Sequence, residues 1–285
     1  MTAARIRQKL RVYRKSPLSL VLFLLVSFAA LLTVGSLLFL IGYILVMGVP
    51  YLSTSLFALH YTSENVSLLP AMLNTLSMTL LALLLAVPVG ISSAIWLAEY
   101  ARRGNRLVGI VRVTAETLSG IPSIVYGLFG LLFFVSALGW GYSMLAGAFT
   151  LALMILPLIM RTTEEALQAV PDIYREGSYG LGAGRLRTVF KIVLPAAIPG
   201  ILAGVILSVG RIVGETAALI YTAGTVAQVA GSLLSSGRTL SVHMYALSSE
   251  GLHIHETYAT AVVLLIIVTV INRLSAFIAK KLSKG

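Results

Sequence analysis

Arg211 and Glu215 stand four residues apart inside the otherwise uncharged run from Pro195 to Ala230. A charge at the centre of a bilayer costs about 2.5 to 3.5 kcal/mol on insertion scales, so a pair in such a run has work to do. On one helix, residues at this spacing share a face, with Arg before Glu the weaker order. Two uses fit. Arg211 supplies a fixed positive charge to an anion pathway, its planar donors matching oxyanions, with Glu215 as countercharge when the pathway is empty; or the two form a structural ion pair. Gly210 and Gly214 flank the pair and suit close helix packing. A second polar group surrounds Pro122, where Ser119, Ser123 and Tyr126 either line a pathway at a broken helix or accompany a plain kink.

The other chemistry-bearing stretch is polar. EGSYGLGAGRLRTVFKIVLP, from Glu176 to Pro195, lies between apolar runs. Pro171 and Asp172 read as a helix start, with the acid favoured by the helix dipole. Asp172, Arg175 and Glu176 give that helix a polar side, and Ile173, Tyr174, Gly177 and Leu181 an apolar one. Gly180 and Gly182 read as its left-handed stop. A second short helix from Arg185 to Val193 leads to Pro195. A helix pair of this kind presents an apolar face that needs a groove.

These residues must be positioned by a membrane bundle. The chain has 285 residues, 58% hydrophobic and 11% charged, with a mean hydropathy of +0.96. No soluble interior of this size hides so much apolar surface. The net charge of +11 would suit nucleic acid only as a patch on a soluble face. Instead, 19 of the 21 Lys and Arg residues fall in four clusters that alternate with apolar runs, the pattern of cytoplasmic loops.

Six spans follow, with both termini cytoplasmic: an uncleaved first helix over 18–48, then about 71–97, 113–136, 142–160, 195–221 and 257–278. The glycines of Gly139-Trp140-Gly141 mark a short outer turn. The basic N-terminus 1–17 and a loop over 161–194 lie inside, and 222–256 lies outside. The fold class is all-α, and the location is a cytoplasmic membrane crossed several times.

Absent motifs narrow the chemistry. The chain has no G-x-x-x-x-G-K-[ST] run to cradle a nucleotide and no H-E-x-x-H. It has no cysteine, and Asp172 is its only aspartate, so a metal hydrolase or membrane protease lacks its parts. His60, His243, His253 and His255 fall in outer segments, and the i, i+2 spacing of the last two opposes a metal site. No catalytic residue and no metal site is expected. Glu116 is expected to pair with Arg112 or Arg106 at the surface. An ion-gradient-driven secondary carrier stays open as a different class.

The spacing of Glu176, Gly182, Ile192 and Leu194-Pro195 resembles the EAA loop of ABC-importer permeases, departing from it at Gly177 and Ser178, where alanines are usual. The stretches NTLSMTLLALLLAVPVGISSAIWLAEYA, ETLSGIPSIVYGLFG, GAFTLALMILPLIMRTTEEALQAVP and GRIVGETAALIYTAG resemble the PstA-type permease subunits of phosphate importers. Their PstC-type partner is the nearest alternative, and an ABC permease for another small anion the next. The resemblance implies a type I permease domain over 68–278. It also implies that Asp172, Arg175, Glu176, Gly177, Gly182, Ala183, Ile192, Leu194 and Pro195 couple to an ATPase dimer. Arg211, Glu215, Ser123 and Tyr126 are implied in the substrate pathway. The implied partners are a PstC-like second permease, the ATPase dimer and an extracytoplasmic phosphate-binding protein. No cofactor is expected on this chain, ATP and Mg being used by the ATPase.

Overall fold

The structure is a computed structural model that describes residues 17–102 and 104–282; the basic N-terminal stretch expected inside lies almost wholly outside them. Among the described residues every regular element is helical. Five helices are long and apolar enough to cross a membrane, and a sixth crossing exists if one bent pair is counted as a span. The chain is a multi-pass membrane protein.

Helix α1 (Pro17–Gly48) stands beside the bundle, joined to α11 (Ile254–Leu282) near its end. There Tyr43 meets Tyr258 edge to face at 5.8 Å, and Tyr51 stacks on His255 at 4.1 Å. The centre is built by α2 (Leu69–Ile95), α5 (Met144–Gln168) and α8 (Leu194–Gly214). Met78, Ala82 and Ala86 recur every fourth residue on α2 and pack on Leu151, Ile155 and Ile159 of α5. Small residues set the spacing because lipid tails give apolar helices no solvent-driven reason to associate, so close backbone contact must do so. A Cβ on Gly90 would stand 2.8 Å from Ile159. One on Gly200 would stand 2.6 Å from Ala166, and one on Gly204 would overlap Thr162. The α5–α8 crossing is therefore a small-x-x-x-small contact at Gly200 and Gly204. It does not involve the expected Gly210 and Gly214: a Cβ on Gly210 would have Asn272 at 4.0 Å, and one on Gly214 would meet nothing within 4 Å.

Two expected spans are discontinuous. The third, read as one helix over 113–136, is α3 (Arg106–Ser119) followed by α4 (Ser123–Gly130), which continues as a wider π-helical stretch to Ala137. The two axes differ by 100°. Pro122 is the cause. It has no N–H to donate to the Leu118 carbonyl four residues back, and that carbonyl is instead met by the Ile121 N–H at 3.1 Å and by the Tyr126 hydroxyl at 2.8 Å. The fifth span, read as 195–221, ends at Gly214. The chain then makes one turn, α9 (Ala217–Ile220), and runs irregularly to α10 (Leu240–Glu250). Irregular backbone packed against a bundle needs partners for its polar groups, and here it has them. Ser143 N–H donates to Thr222 O at 3.0 Å, Met144 N–H to Ser235 O and Leu145 N–H to Leu233 O.

The turn between α4 and α5 falls where the glycines placed it. Gly139 and Gly141 have φ of +68° and +63°, and Trp140 stacks on Phe134 at 5.4 Å.

The irregular segment is pinned to α2 by Asn74, whose amide donates to Gln228 O at 3.0 Å and Arg238 O at 3.2 Å and accepts from Ala230 N at 3.0 Å. Beside it, α10 buries His243 completely. Burial first, and the charge of Arg238 second, push this imidazole down to about 3; the Val66 backbone acts weakly the other way.

Two outcomes follow. Gly204→Leu should destabilise the bundle by about 1 to 3 kcal/mol through overpacking, while Gly214→Ala is tolerated; thermal melting of the detergent-solubilised chain distinguishes them. Since the folded pKa of His243 lies below its unfolded value near 6.5, the unfolded state binds the proton first and stability falls as pH drops below about 6.5. The slope approaches 1.4 kcal/mol per pH unit for one proton. His243→Phe should remove that share of the pH dependence, and an unchanged melting-temperature profile between pH 7 and pH 5 would contradict it.

Candidate functional site: the coupling loop and the intramembrane arginine

At the basic end of the bundle, α6 (Asp172–Gly180) and α7 (Arg185–Thr188) form the expected helix pair, and a π-helical stretch over Val189–Val193 carries the chain into α8. The stop between the helices is Gly182, with φ +78°; its N–H donates to Tyr179 O at 2.9 Å, and Ala183 N–H donates to Ser178 O at 3.1 Å. Ser178 and Thr188 join the two helices through a buried 2.8 Å hydroxyl contact. Gly180 lies inside the helix. Gly177 has open space where a Cβ would be, so nothing within this chain requires glycine there.

Sequence reasoning placed Arg175 on one polar side of the helix with Asp172 and Glu176, and Arg175 does pair with Asp172 at 3.2 Å, but it did not foresee a partner inside the bundle. The structure supplies one. Arg175 turns into the bundle, its side chain 15% exposed, and forms an ion pair with Glu99, which is 5% exposed, at 2.6 Å. Its Nε also donates to Glu99 Oε1 at 3.2 Å, and Nη1 and Nη2 donate to Val170 O at 2.7 Å and Leu167 O at 2.8 Å. One guanidinium thus ties α6 to the end of α5 and to the π-helical stretch Trp96–Tyr100 that closes α2. The Glu99 hydrogen bond is the first reason its pKa stands above the ordinary arginine value. Arg185 donates to the Glu99 carbonyl and lies over the Tyr100 ring at 5.1 Å. Glu99 was missed because it is 76 residues away from Arg175; the available signal was an acid at the end of an apolar run just before a basic cluster.

With Arg175 facing inward, most of the other residues expected to couple lie at the outer surface. Asp172 and Glu176 are exposed, as are Ile173, Tyr174, Leu181 and Leu186. Ile192 lines a recess of about 480 Å3 with Ser178, Leu181, Gly182 and Ala183. Leu194 packs partly against Val189, Val193 and Leu167, and the exposed Pro195 sits in the first turn of α8.

Two further ion pairs belong to this end. Arg112 pairs with Glu164, and Glu116 pairs with Arg161 at 3.6 Å in place of the expected Arg112 or Arg106. The antiparallel α3 and α5 bring these residues level.

Arg211 and Glu215 do not form the expected pair. The helix they were to share ends at Gly214, and Glu215 is extended, with ψ 129°. Its carboxylate turns to α9 and accepts from Ala218 N–H at 3.1 Å, while its carbonyl accepts from Ser241 Oγ at 2.6 Å. Arg211 lies in the last turn of α8, where the negative end of the helix dipole favours a cation. It is half-buried in an open recess with Leu158, Leu207 and Asn272, level with the middle of α5, and no described carboxylate or carbonyl pairs with its side chain.

The two broken helices meet here. A Cβ on Gly127 of α4 would stand 2.8 Å from the Ala218 backbone of α9, and Arg211 is near enough to act electrostatically on the Tyr126 phenol. Tyr126, expected in the pathway, is 8% exposed with its hydroxyl spent on Leu118. Ser123 begins α4 at the bend and is half-buried.

Two broken apolar spans in contact, a cation beside them and a helix pair at the basic end suit the membrane subunit of a transporter. Residues 86–284 match the family described as binding-protein-dependent transport system inner membrane component, and the chain belongs to that family. It is 41% identical over 154 residues to the phosphate transport system permease protein PstA 1 of Mycobacterium tuberculosis, covering 54% of this chain and 50% of that one. It is 41% identical over 179 residues to PstA of Pasteurella multocida, covering 62% and 63%. The probable ABC transporter permease protein YqgI of Bacillus subtilis is 36% identical over 192 residues, covering 63% and 65%. The chain thus spans about half to two thirds of these relatives. Among solved structures, a bacterial ABC transporter involved in alginate import superposes with a TM-score of 0.66 at 15% identity, covering 96% of this chain and 99% of that one. The MetNI methionine transporter in an inward-facing form gives 0.60 at 22% identity, covering 75% and 95%. The fold is that of ABC importer permeases of type I.

Removing one partner of a buried ion pair costs about 3 to 5 kcal/mol because the other charge stays buried. Glu99→Ala should therefore loosen α6 and α7 without unfolding the bundle. Amide hydrogen exchange over 170–194 should speed up while that of α5 does not; unchanged exchange in the helix pair would show that Glu99 does not hold it.

Proposed function

We propose that the chain is a permease subunit of an ATP-driven importer that carries inorganic phosphate across the cytoplasmic membrane, the helix pair α6–α7 lying on the cytoplasmic side. The observation that carries this reading is the construction of that pair. Glu99, Ser178 and Thr188 fix it from behind, and Ile173, Tyr174, Leu181 and Leu186 face outward with nothing over them. A rigidly held apolar face on an exposed loop suits a partner's groove, and in this family the partner is a separate ATP-hydrolysing subunit. ATP and Mg are then used there, and this chain moves substrate without an ATPase site of its own.

Phosphate as substrate rests on the PstA-named relatives and on Arg211, whose donors are free at mid-depth and match phosphate oxygens. Glu215 does not neutralise Arg211, so the anion meets an uncompensated charge. A PstC-like second permease would complete the pore, and an extracytoplasmic binding protein would deliver the anion. The positive clusters at the coupling end put that end inside. A PstC-type role, or transport of another small anion, differs from this reading only in partner and substrate. A secondary carrier would have no use for the docking face.

Arg211→Gln should reduce ATP-dependent phosphate uptake into vesicles by at least about tenfold, the loss of roughly 1.4 kcal/mol, with assembly intact; normal uptake would refute the assignment. A cysteine at Glu176 should cross-link to the ATPase subunit, and failure in a correctly inserted complex would remove the docking reading.

A further inference from the structure

At the end of the bundle opposite the coupling loop, Arg238 is 4% exposed and His243 is fully buried. The Arg238 Nε and Nη2 lack any hydrogen-bond partner, and the buried His243 ring nitrogens have none beyond the weak influence of the Val66 backbone. These orphans are neighbours: the Arg238 guanidinium lies over the Tyr61 face at 4.6 Å, and the His243 ring meets the Tyr61 edge at 6.1 Å and 90°. Nε and Nη2 form one side of the guanidinium, the parallel pair of donors that accepts an anion in bidentate fashion. Neutral imidazole adds a third N–H.

The surroundings make this unusual. The backbone of Arg238 is fully used, its N–H donating to Val226 O at 2.9 Å and its carbonyl accepting from Asn74 at 3.2 Å. Thr75 Oγ1 accepts from Leu240 N at 2.8 Å. Polar groups nearby are thus paired, as more than nine in ten buried ones are. The loop above contains Val66 at φ +41°, a conformation that costs a β-branched residue and recurs at functional sites. It is held there by Val66 N–H to Thr62 O at 3.0 Å and Leu68 N–H to Leu56 O at 2.8 Å. Water would meet the donors of Arg238 and leave its charge uncompensated, and an unpaired buried charge is far costlier than an unpaired donor. No described carboxylate pairs with it.

We propose that Arg238, His243 and Tyr61 form an enclosed binding site for a small inorganic anion, halide or oxyanion, beneath the loop from His60 to Leu68. Its near-complete burial excludes a macromolecule. The site lies on elements other than the one bearing Arg211 and does not depend on what the transporter carries.

The test uses wild-type protein. Crystals of the intact complex grown in sodium bromide should show an anomalous peak within hydrogen-bonding reach of Arg238 Nε and Nη2. If inorganic phosphate removes the peak, the site accepts oxyanions; if the peak persists, it is a halide site. No peak there, with density for water alone, overturns the proposal. In solution, replacing gluconate by chloride or phosphate at constant ionic strength should raise the melting temperature of wild type and of Arg211→Gln, but not of Arg238→Gln. A rise retained in Arg238→Gln, or lost in Arg211→Gln, also overturns it. Should Arg238→Gln fail to fold, the bromide experiment decides alone.

Discussion

Hydrocarbon offers a backbone carbonyl nothing to bond to, and the architecture of this chain depends on where it breaks helices in spite of that. Each break is paired with a specific remedy. Pro122 frees the Leu118 carbonyl, and Tyr126 returns a hydroxyl to it. The end of α8 at Gly214 leaves a short irregular stretch, and Glu215 and Ser241 bond across it. The two broken spans also touch, Gly127 lying against the Ala218 backbone, with Arg211 close enough to act on the Tyr126 phenol.

The same accounting governs the coupling end. An arginine and a glutamate buried together gain little over well-packed apolar residues, so stability alone does not explain Glu99 and Arg175. Their geometry does. The guanidinium reaches two other elements at once, a carboxylate in the stretch that closes α2 and two carbonyls at the end of α5, and it is carried by the helix that presents the exposed apolar face. Helix α6 is therefore tied to α2 and α5, two of the three helices that build the centre of the bundle. The π-helical stretches on either side of this joint, Trp96–Tyr100 and Val189–Val193, are the widened backbone found where helices serve a function.

Much of this was legible in the residues. The alternation of basic clusters with apolar runs set the number of crossings and put the helix pair on the basic side, and Gly182 announced its left-handed stop. What the sequence concealed were relations between distant elements. Glu99 meets Arg175 only because α2 and α6 converge. Arg175 shares a side with Asp172 as its spacing implied, but helical spacing alone does not say which polar residue of that side turns inward. The i, i+4 argument for Arg211 and Glu215 assumed a helix that Gly214 ends between them. Four glycines on α8 look alike in sequence, yet only Gly200 and Gly204 meet the small residues Ala166 and Thr162, and that contact is visible only once α5 is laid against α8.

The separation of Arg211 from Glu215 changes what the arginine can do. In a closed pair, an entering anion must first displace a carboxylate, and the gain of the new bond is reduced by loss of the old one. Here the carboxylate is committed to α9, and the cation is balanced by nothing stronger than the carbonyls at the end of its own helix. A diffuse, fixed partial charge lowers the cost of holding the guanidinium at mid-depth without filling its donors. If the proposed anion pathway holds, those donors stay preorganised for an acceptor that arrives and leaves, which suits transport better than tight binding does. The break after Gly214 is thus a chemical device as well as a topological one, since it removes the countercharge from the helix that carries the arginine.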